Sequence, residues 1–446
     1  MKSSYRWLQR LLENNLTRRI IKNSGYLLSA TGISAAIGML QGILVARLLG
    51  VNDFGILGII TLFTSVINRL ISFRMGELVI KYIGHYNEED DQVRAAAVFK
   101  ASAILEFLAS IVAFGLLVLL APIGASYFAK DSSLTPLFII YGLTILFNLI
   151  SESSTGLLQI FNRFRGMSGL LVAQSLFTLV LITLIYLNDG GLMAVLLAYL
   201  GGKAIGGIGL SAAALLEANR QWGRGWWLTP LRLLRSRARE LADFAIHTNI
   251  SSSISLVTKD SEILWVSFFR TPVEAGWYKL ALTLANIVQL PVSPLPKTIY
   301  PELSREAARK RWDNFRHVMR QGSFMGGAYS LVATIGLLIL GRPLIRLVYG
   351  EEYLPAYPAL LILLVGYLVA NTFIWRRPAL LALDRPDFPT KLNLIMAGLK
   401  VLGVILLVPR YGYLASAALL AGFYVLNSLI SYWKVRSLLI NRESSS

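Results

Sequence analysis

A chain of 446 residues with 55% hydrophobic residues, only 15% charged ones and a mean hydropathy of +0.58 lies far from the balance of a soluble protein and reads as a polytopic membrane protein. Its net charge of +18 does not point to nucleic acid, because the basic residues are scattered among apolar runs and fall mostly on alternate loops. With no cysteine and three histidines far apart in sequence, disulfides and thiol chemistry are excluded, and neither a metal centre nor a cofactor is expected.

The first stretch, residues 1–23, is basic and amphipathic rather than a smooth apolar core, so no cleavable leader is expected there. Tyr5, Leu8, Leu11, Leu12 and Leu16 share one helical face, which predicts a helix lying on the membrane surface, and Lys2, Arg6, Arg10, Arg18, Arg19 and Lys22 argue for a cytoplasmic N-terminus. Twelve runs then approach the roughly twenty apolar residues that a spanning helix needs. In order they fall near residues 24–49, 54–82, 94–120, 134–160, 169–187, 192–216, 242–269, 275–299, 316–340, 355–380, 390–408 and 413–433. With that count the outer loops hold only Arg47, Lys130, Arg270, Arg342, Arg346 and Arg410, while the inner side carries most of the 43 basic residues. Both termini are therefore expected to be cytoplasmic.

The chain also repeats itself. GVNDFGIL around Asp53 returns as TPVEAGWY around Glu274, NRFRGMS near Arg163 as DRPDFPT near Arg385, and NDGGLMAVLLA near Gly191 as PRYGYLASAAL near Gly412, each 221 or 222 residues on. A duplication of six spans puts both copies in the membrane the same way round, related by an axis along the membrane normal. The expected organisation is an all-α integral membrane protein with an N-lobe at 24–217, a basic cytoplasmic linker helix at 218–241, a C-lobe at 242–436 and a cytoplasmic tail at 437–446. The linker, RQWGRGWWLTPLRLLRSRARE, interleaves Trp222, Trp226 and Trp227 with arginine, as an interfacial helix at the inner leaflet would.

Several charges lie inside these apolar runs, where each costs a few kcal/mol or more unless it is paired or faces a polar cavity. Arg69, Lys203, Lys259 and Lys400 are too deep to snorkel easily and are candidates to line a cavity, whereas Arg74 and Lys279 sit nearer an end. Glu106, Glu152, Asp260 and Glu262 are candidate pairing or coupling acids, with Lys259 and Glu262 close enough along one helix to neutralise each other. Pro291, Pro294 and Pro296 predict a kink in the eighth span, beside the charged seventh. Cations in excess of anions offer a site for phosphate. The glycines of GGKAIGGIG around Lys203 read first as close helix packing.

VARLLGVNDFGILGIITLF, AGWYKLALTLANIVQLPVSPLPKTIYPELSR, GRPLIRLVYGEEYLPAYPALLIL and LDRPDFPTKLNLI together resemble the polysaccharide-export flippases of the multidrug/oligosaccharidyl-lipid/polysaccharide (MOP) superfamily. The resemblance covers nearly the whole chain and implies a MATE-like fold of twelve transmembrane helices in two six-helix lobes. It further implies a transporter that carries undecaprenyl-pyrophosphate-linked oligosaccharide units across the cytoplasmic membrane by alternating access, for O-antigen, capsule or exopolysaccharide. The implied partners are that lipid-linked oligosaccharide, membrane lipids, and a polysaccharide polymerase and chain-length regulator. Direct use of ATP is not expected, since no GxxxxGK[ST] stretch occurs. The rival readings are a multidrug or cation exporter of the same superfamily, which calls for an acidic cavity, and a membrane glycosyltransferase or polymerase, which calls for a sizeable catalytic outer loop. A peptidoglycan-precursor flippase usually carries two further helices.

Overall fold

The computed structural model describes residues 15–72, 75–256 and 260–443, and among them the chain is helical, without a strand. Among the described residues, eight helices are long and apolar enough to cross a membrane. The 57-residue α1 (Asn15–Ile71) would reach about 85 Å if straight, and it turns at Gly50, whose φ of 68° an L side chain rarely adopts. There follow α2 (Met75–Glu88), α3 (Gln92–Ile123), α4 (Thr135–Phe147), α5 (Ser151–Ile160), α6 (Phe164–Leu187) and α7 (Leu192–Trp222). The remainder is α8 (Ala238–Ser255), α9 (Glu262–Phe269), α10 (Pro272–Gln289), α11 (Leu295–Ala308), α12 (Trp312–Leu344), α13 (Ala356–Thr372), α14 (Arg376–Ala382) and the 57-residue α15 (Asp387–Glu443). α15 turns at Gly412, φ 61°, and runs on as helix past residue 437, where a tail was expected.

The sequence repeat is a repeat of backbone. α2 and α11 match end for end at an offset of 220 residues, and the π-helical turns Gly124–Phe128 and Ile345–Tyr349 match at 221, as do the starts of α4 and α13. Left-handed residues recur in the same way, Asp90 with Lys310 and Asn162 with Asp384. Gly50 corresponds to the junction of α9 and α10, and Gly412 to that of α6 and α7, so the turn inside each long helix falls where the other half has a break between two helices.

Two compact units are distinguished by contact. The first combines residues up to Leu48 with Phe63–Gly124 and Ser133–Ser253, and the second combines Leu49–Leu62 and Ala125–Ser132 with the chain from Ile254 onward. The first has a core of Tyr82, Ile83, Phe99, Leu157 and Ala218, all nearly inaccessible. The second has a core of Leu303, Phe315, Trp375 and Leu383. Within the second unit the repeated turns grip each other reciprocally: a Cβ on Gly55 would lie 1.9 Å from the Pro272 carbonyl oxygen, and one on Gly276 would lie 2.4 Å from that of Val51. Backbones approach this closely only where a glycine leaves out the intervening side chain. Lys130 ties its own short segment to the same unit by donating to the Phe268 carbonyl at 2.8 Å.

One expectation is corrected. The segment 218–241 is not a single interfacial helix: Gly223, with φ 78°, ends α7, and Gly225 and Pro230 permit only the short 3₁₀ turns Trp226–Leu228 and Leu231–Arg237 before α8. It forms a strap on α3, with Trp226 against Phe99 at 5.3 Å between ring centroids and Lys100 donating to the Thr229 carbonyl at 3.0 Å. Trp227 and Leu228 remain exposed, as interfacial side chains would. The predicted surface helix at residues 1–23 lies for the most part outside the described residues.

Candidate functional site

The polar features of both units are built around interrupted helices. Between α4 and α5 the helix stops at residues 148–150, freeing the N–H groups at the start of α5, and Glu106 of α3 supplies the acceptors. Its Oε1 accepts from the Glu152 N–H at 2.8 Å, and its Oε2 accepts from the Ser153 N–H at 2.9 Å and the Ser153 hydroxyl at 2.6 Å. At 3% exposure, Glu106 is a buried carboxylate held at the positive end of a helix. Between α13 and α14 the interruption falls at residues 373–375, and here the freed groups that are met are carbonyls. Arg376 donates through Nη1 to the carbonyls of Ala370 at 2.9 Å and Phe373 at 3.4 Å. Asn371, buried in the last turn of α13, donates to Ser330 Oγ of α12 at 2.8 Å.

The base-capped break opens on a cavity of about 490 Å³. One wall is the junction of α10 and α11, where helix gives way to turns over Leu290–Pro294; Pro291 and Pro294 lie in the turns, and Pro296 occupies the first turn of α11 and lines the cavity with Gln289, Ser293, Lys297 and Tyr300. The other wall is Asn371, Arg376, Arg377 and Pro378, and α15 contributes Tyr424. Among the described residues no carboxylate lines this space, and none pairs with Lys297, Arg376 or Arg377. Nη2 and Nε of Arg376 are not engaged by described protein groups. A Tyr367–Asn286 hydrogen bond of 2.7 Å and edge-to-face packing of Tyr367 on Tyr424 fix the neighbouring helices. Three cationic side chains converging on a space without an anion are chemically suited to a phosphate or pyrophosphate, which accepts bidentate guanidinium bonds.

The charges singled out in the sequence occupy different settings. Lys400 of α15 is 5% exposed and ion-pairs with the equally buried Glu262 at the start of α9, so its charge is taken up by a carboxylate. Asp260 is exposed just before α9, while Lys259 and Arg74 lie outside the described residues. Arg69 is exposed in the last turn of α1, Lys203 is exposed midway along α7, and Glu152 is exposed in the first turn of α5. The glycines beside Lys203 pack as expected: a Cβ on Gly202 would meet Thr178, and one on Gly207 the Phe147 carbonyl. Lys279 does not reach outward; it donates to the Phe54 carbonyl at 3.1 Å and sits 3.8 Å above the Phe54 ring. Lys297, Arg376 and Arg377 were missed because PLPK and WRRP fall at the expected inner ends of their runs, where basic residues read as topological signals. The usable signal was an arginine pair followed by proline in a segment that would otherwise continue as helix.

Residues 20–306 match the family described as polysaccharide biosynthesis protein, which is more than half of the chain. The chain belongs to this family. A member-like relative is the inner membrane protein YghQ of Escherichia coli strain K12, 28% identical over 358 residues, covering 76% of this chain and 95% of YghQ. The probable low-salt glycan biosynthesis flippase Agl15 of Haloferax volcanii is 21% identical over 238 residues, covering 52% of this chain and 50% of Agl15. Among solved structures, the fold is similar to that of an inward-facing multidrug resistance MATE family transporter of the MOP superfamily, with a TM-score of 0.72 at 14% identity over 93% of this chain and 96% of that one. This polysaccharide biosynthesis family protein is therefore a multi-pass helical membrane protein with a MOP-type fold.

Proposed function

We propose that this family member is a flippase that carries a polyprenyl-pyrophosphate-linked oligosaccharide, of the undecaprenyl type, across the cytoplasmic (inner) membrane by alternating access. In this reading twelve spans form two six-helix lobes with both termini cytoplasmic. The product feeds a polysaccharide polymerase and its chain-length regulator in surface glycan assembly. The single observation that carries the reading is the acid-free cavity lined by Lys297, Arg376 and Arg377 in a polysaccharide biosynthesis protein. A pyrophosphate cannot enter hydrocarbon unaided, and here guanidinium and ammonium groups replace its water while the polyprenyl chain stays in lipid. Arg69 and Lys203 are proposed as further cationic contacts along the path, and Glu152 and Asp260 as coupling acids. The related Agl15 is named a probable glycan biosynthesis flippase and YghQ an inner membrane protein, which supports the substrate class and the membrane.

The test is reconstitution into vesicles with a fluorescent lipid-linked oligosaccharide, read by an impermeant quencher. Wild type moves the lipid between leaflets, and Lys297→Gln with Arg377→Gln slows movement by about tenfold or more, the value of a charge-assisted hydrogen bond to phosphate. An undiminished rate in that variant overturns the headgroup site. Efflux of organic cations with no movement of sugar lipid would instead indicate the cation exporter of the same superfamily, and a new glycosidic product would indicate an enzyme.

A further inference from the structure

A second basic crevice, of about 570 Å³, also borders the α13–α14 break, through Phe373 and Trp375. Its cations are Arg316 and Arg320, one turn apart near the start of α12, and Arg436 near the end of α15. Like charges one helical turn apart repel, and an anion seated beside them relieves that repulsion. Arg316 reaches Asp313 at 3.2 Å, but that carboxylate is fully exposed and such pairs contribute little. Neither Arg320 nor Arg436 pairs with a carboxylate among the described residues.

The remainder of the crevice is apolar and aromatic. Trp375, 2% exposed and held by an Nε1–H bond to Ser323 Oγ at 2.7 Å, meets Tyr432 at its floor. Met319 and Leu439 wall it, and the 53%-exposed Ile440 stands at its mouth. A free phosphate or nucleotide would have no use for the apolar wall, and an alkyl chain alone would have none for three guanidinium groups. The two together fit one amphipathic molecule with an anionic head. α12 is also mostly unburied within the protein, with Phe324, Val332 and Ile339 at 66 to 75% exposure continuing the apolar surface beyond the arginines. A headgroup seated on the arginines therefore has hydrocarbon-facing surface beside it for its chains.

We propose that this crevice is a binding site for a membrane phospholipid with a net negative headgroup, such as a phosphatidylglycerol, separate from the cavity lined by Lys297 and Arg377. Trp375 lines this crevice, and the adjoining Arg376 lines the other cavity. The bound lipid braces the break, whatever the other cavity carries.

The test is native mass spectrometry of the purified full-length protein equilibrated with equal amounts of phosphatidylglycerol and phosphatidylcholine. Wild type retains phosphatidylglycerol preferentially. Arg320→Gln and Arg436→Gln each reduce that retention by about fivefold, with thermal midpoints unchanged, and the pair of lysine substitutions keeps most of it. Arg377→Gln leaves it intact. Equal retention of the two lipids, or unchanged phosphatidylglycerol in the double glutamine variant, overturns the site. A parallel arm adds millimolar inorganic phosphate and pyrophosphate: failure to displace the lipid supports a phospholipid site, and displacement by phosphate alone reassigns the crevice to a soluble anion.

Discussion

Breaking the Lys400–Glu262 pair has a cost that the structure lets us work out. Lys400 and Glu262 are 5% and 1% exposed, so each charge has been taken out of water and is met by the other. Lys400→Met removes the ammonium that Glu262 meets, and Glu262→Leu removes the carboxylate that Lys400 meets. Removing one partner of such a pair typically costs about 3 to 5 kcal/mol, whereas replacing both by apolar side chains of similar volume is near neutral or stabilising. The double variant is therefore expected to be more stable than either single one, with a coupling energy of about 3 kcal/mol or more. Thermal unfolding of the detergent-solubilised protein, followed by tryptophan fluorescence, gives the ranking. If the double variant loses the sum of the two single losses, the residues do not act as a pair and the burial argument fails. Should transport survive in the double variant, the pair holds α9 on α15 and has no part in headgroup binding.

Two further outcomes follow from single contacts. Glu106→Gln keeps one acceptor oxygen but turns an NH₂ toward N–H groups that need an acceptor, so it should lower stability by about 1 to 2 kcal/mol, read as a drop in thermal midpoint; an unchanged midpoint would mean α5 is not capped by Glu106. Gly55→Val drives a side chain into the Pro272 carbonyl, 1.9 Å from the new Cβ, and should destabilise by about 1 to 3 kcal/mol, while Gly84→Ala, where a Cβ meets nothing, serves as the control. Equal midpoints for the two glycine variants would refute the close approach.

What the sequence disclosed and what it hid divide along a physical line. Length and apolarity of runs depend on local composition, so the helical membrane fold was legible from the chain alone. The duplication was legible because the turns at Asp53 and Glu274 need the same small residues for the same close packing, and their glycines do meet. The partners of intramembrane charges were not legible, because they are set by contacts across the chain. Lys400 finds Glu262 at a separation of 138 residues, and Glu106 finds the α5 N-terminus at 46 and 47. Helix interruptions at residues 148–150 and 373–375 carried no periodicity signal, since the apolar run continues through both. The strap at 218–241 was misread because its tryptophans and arginines have an interfacial composition, although its two glycines and proline already disfavoured a helix.

The repeat also accounts for the cationic cavity belonging to the second half. In the first, Gly76 and Gly156 bring α2 and α5 together so closely that a Cβ on Gly156 would lie 2.7 Å from the Gly76 carbonyl oxygen. At the local offsets of 220 for α2 and α11 and 222 for Asn162 and Asp384, these glycines correspond to Pro296 and Pro378. Two proline rings do not permit that approach, and both line the cavity of about 490 Å³ that opens instead. By the same registers Glu77 and Thr155 stand where the second half has Lys297 and Arg377, so the half with space also has the charge. The helix breaks diverge in the same sense: an acid caps the exposed N–H groups in one half, and an arginine caps the exposed carbonyls in the other. A carboxylate cap is fully used by its helix, with both oxygens engaged. A guanidinium has five donors, of which the two carbonyls engage one nitrogen, so Arg376 can hold its own break and still present donors to an anion.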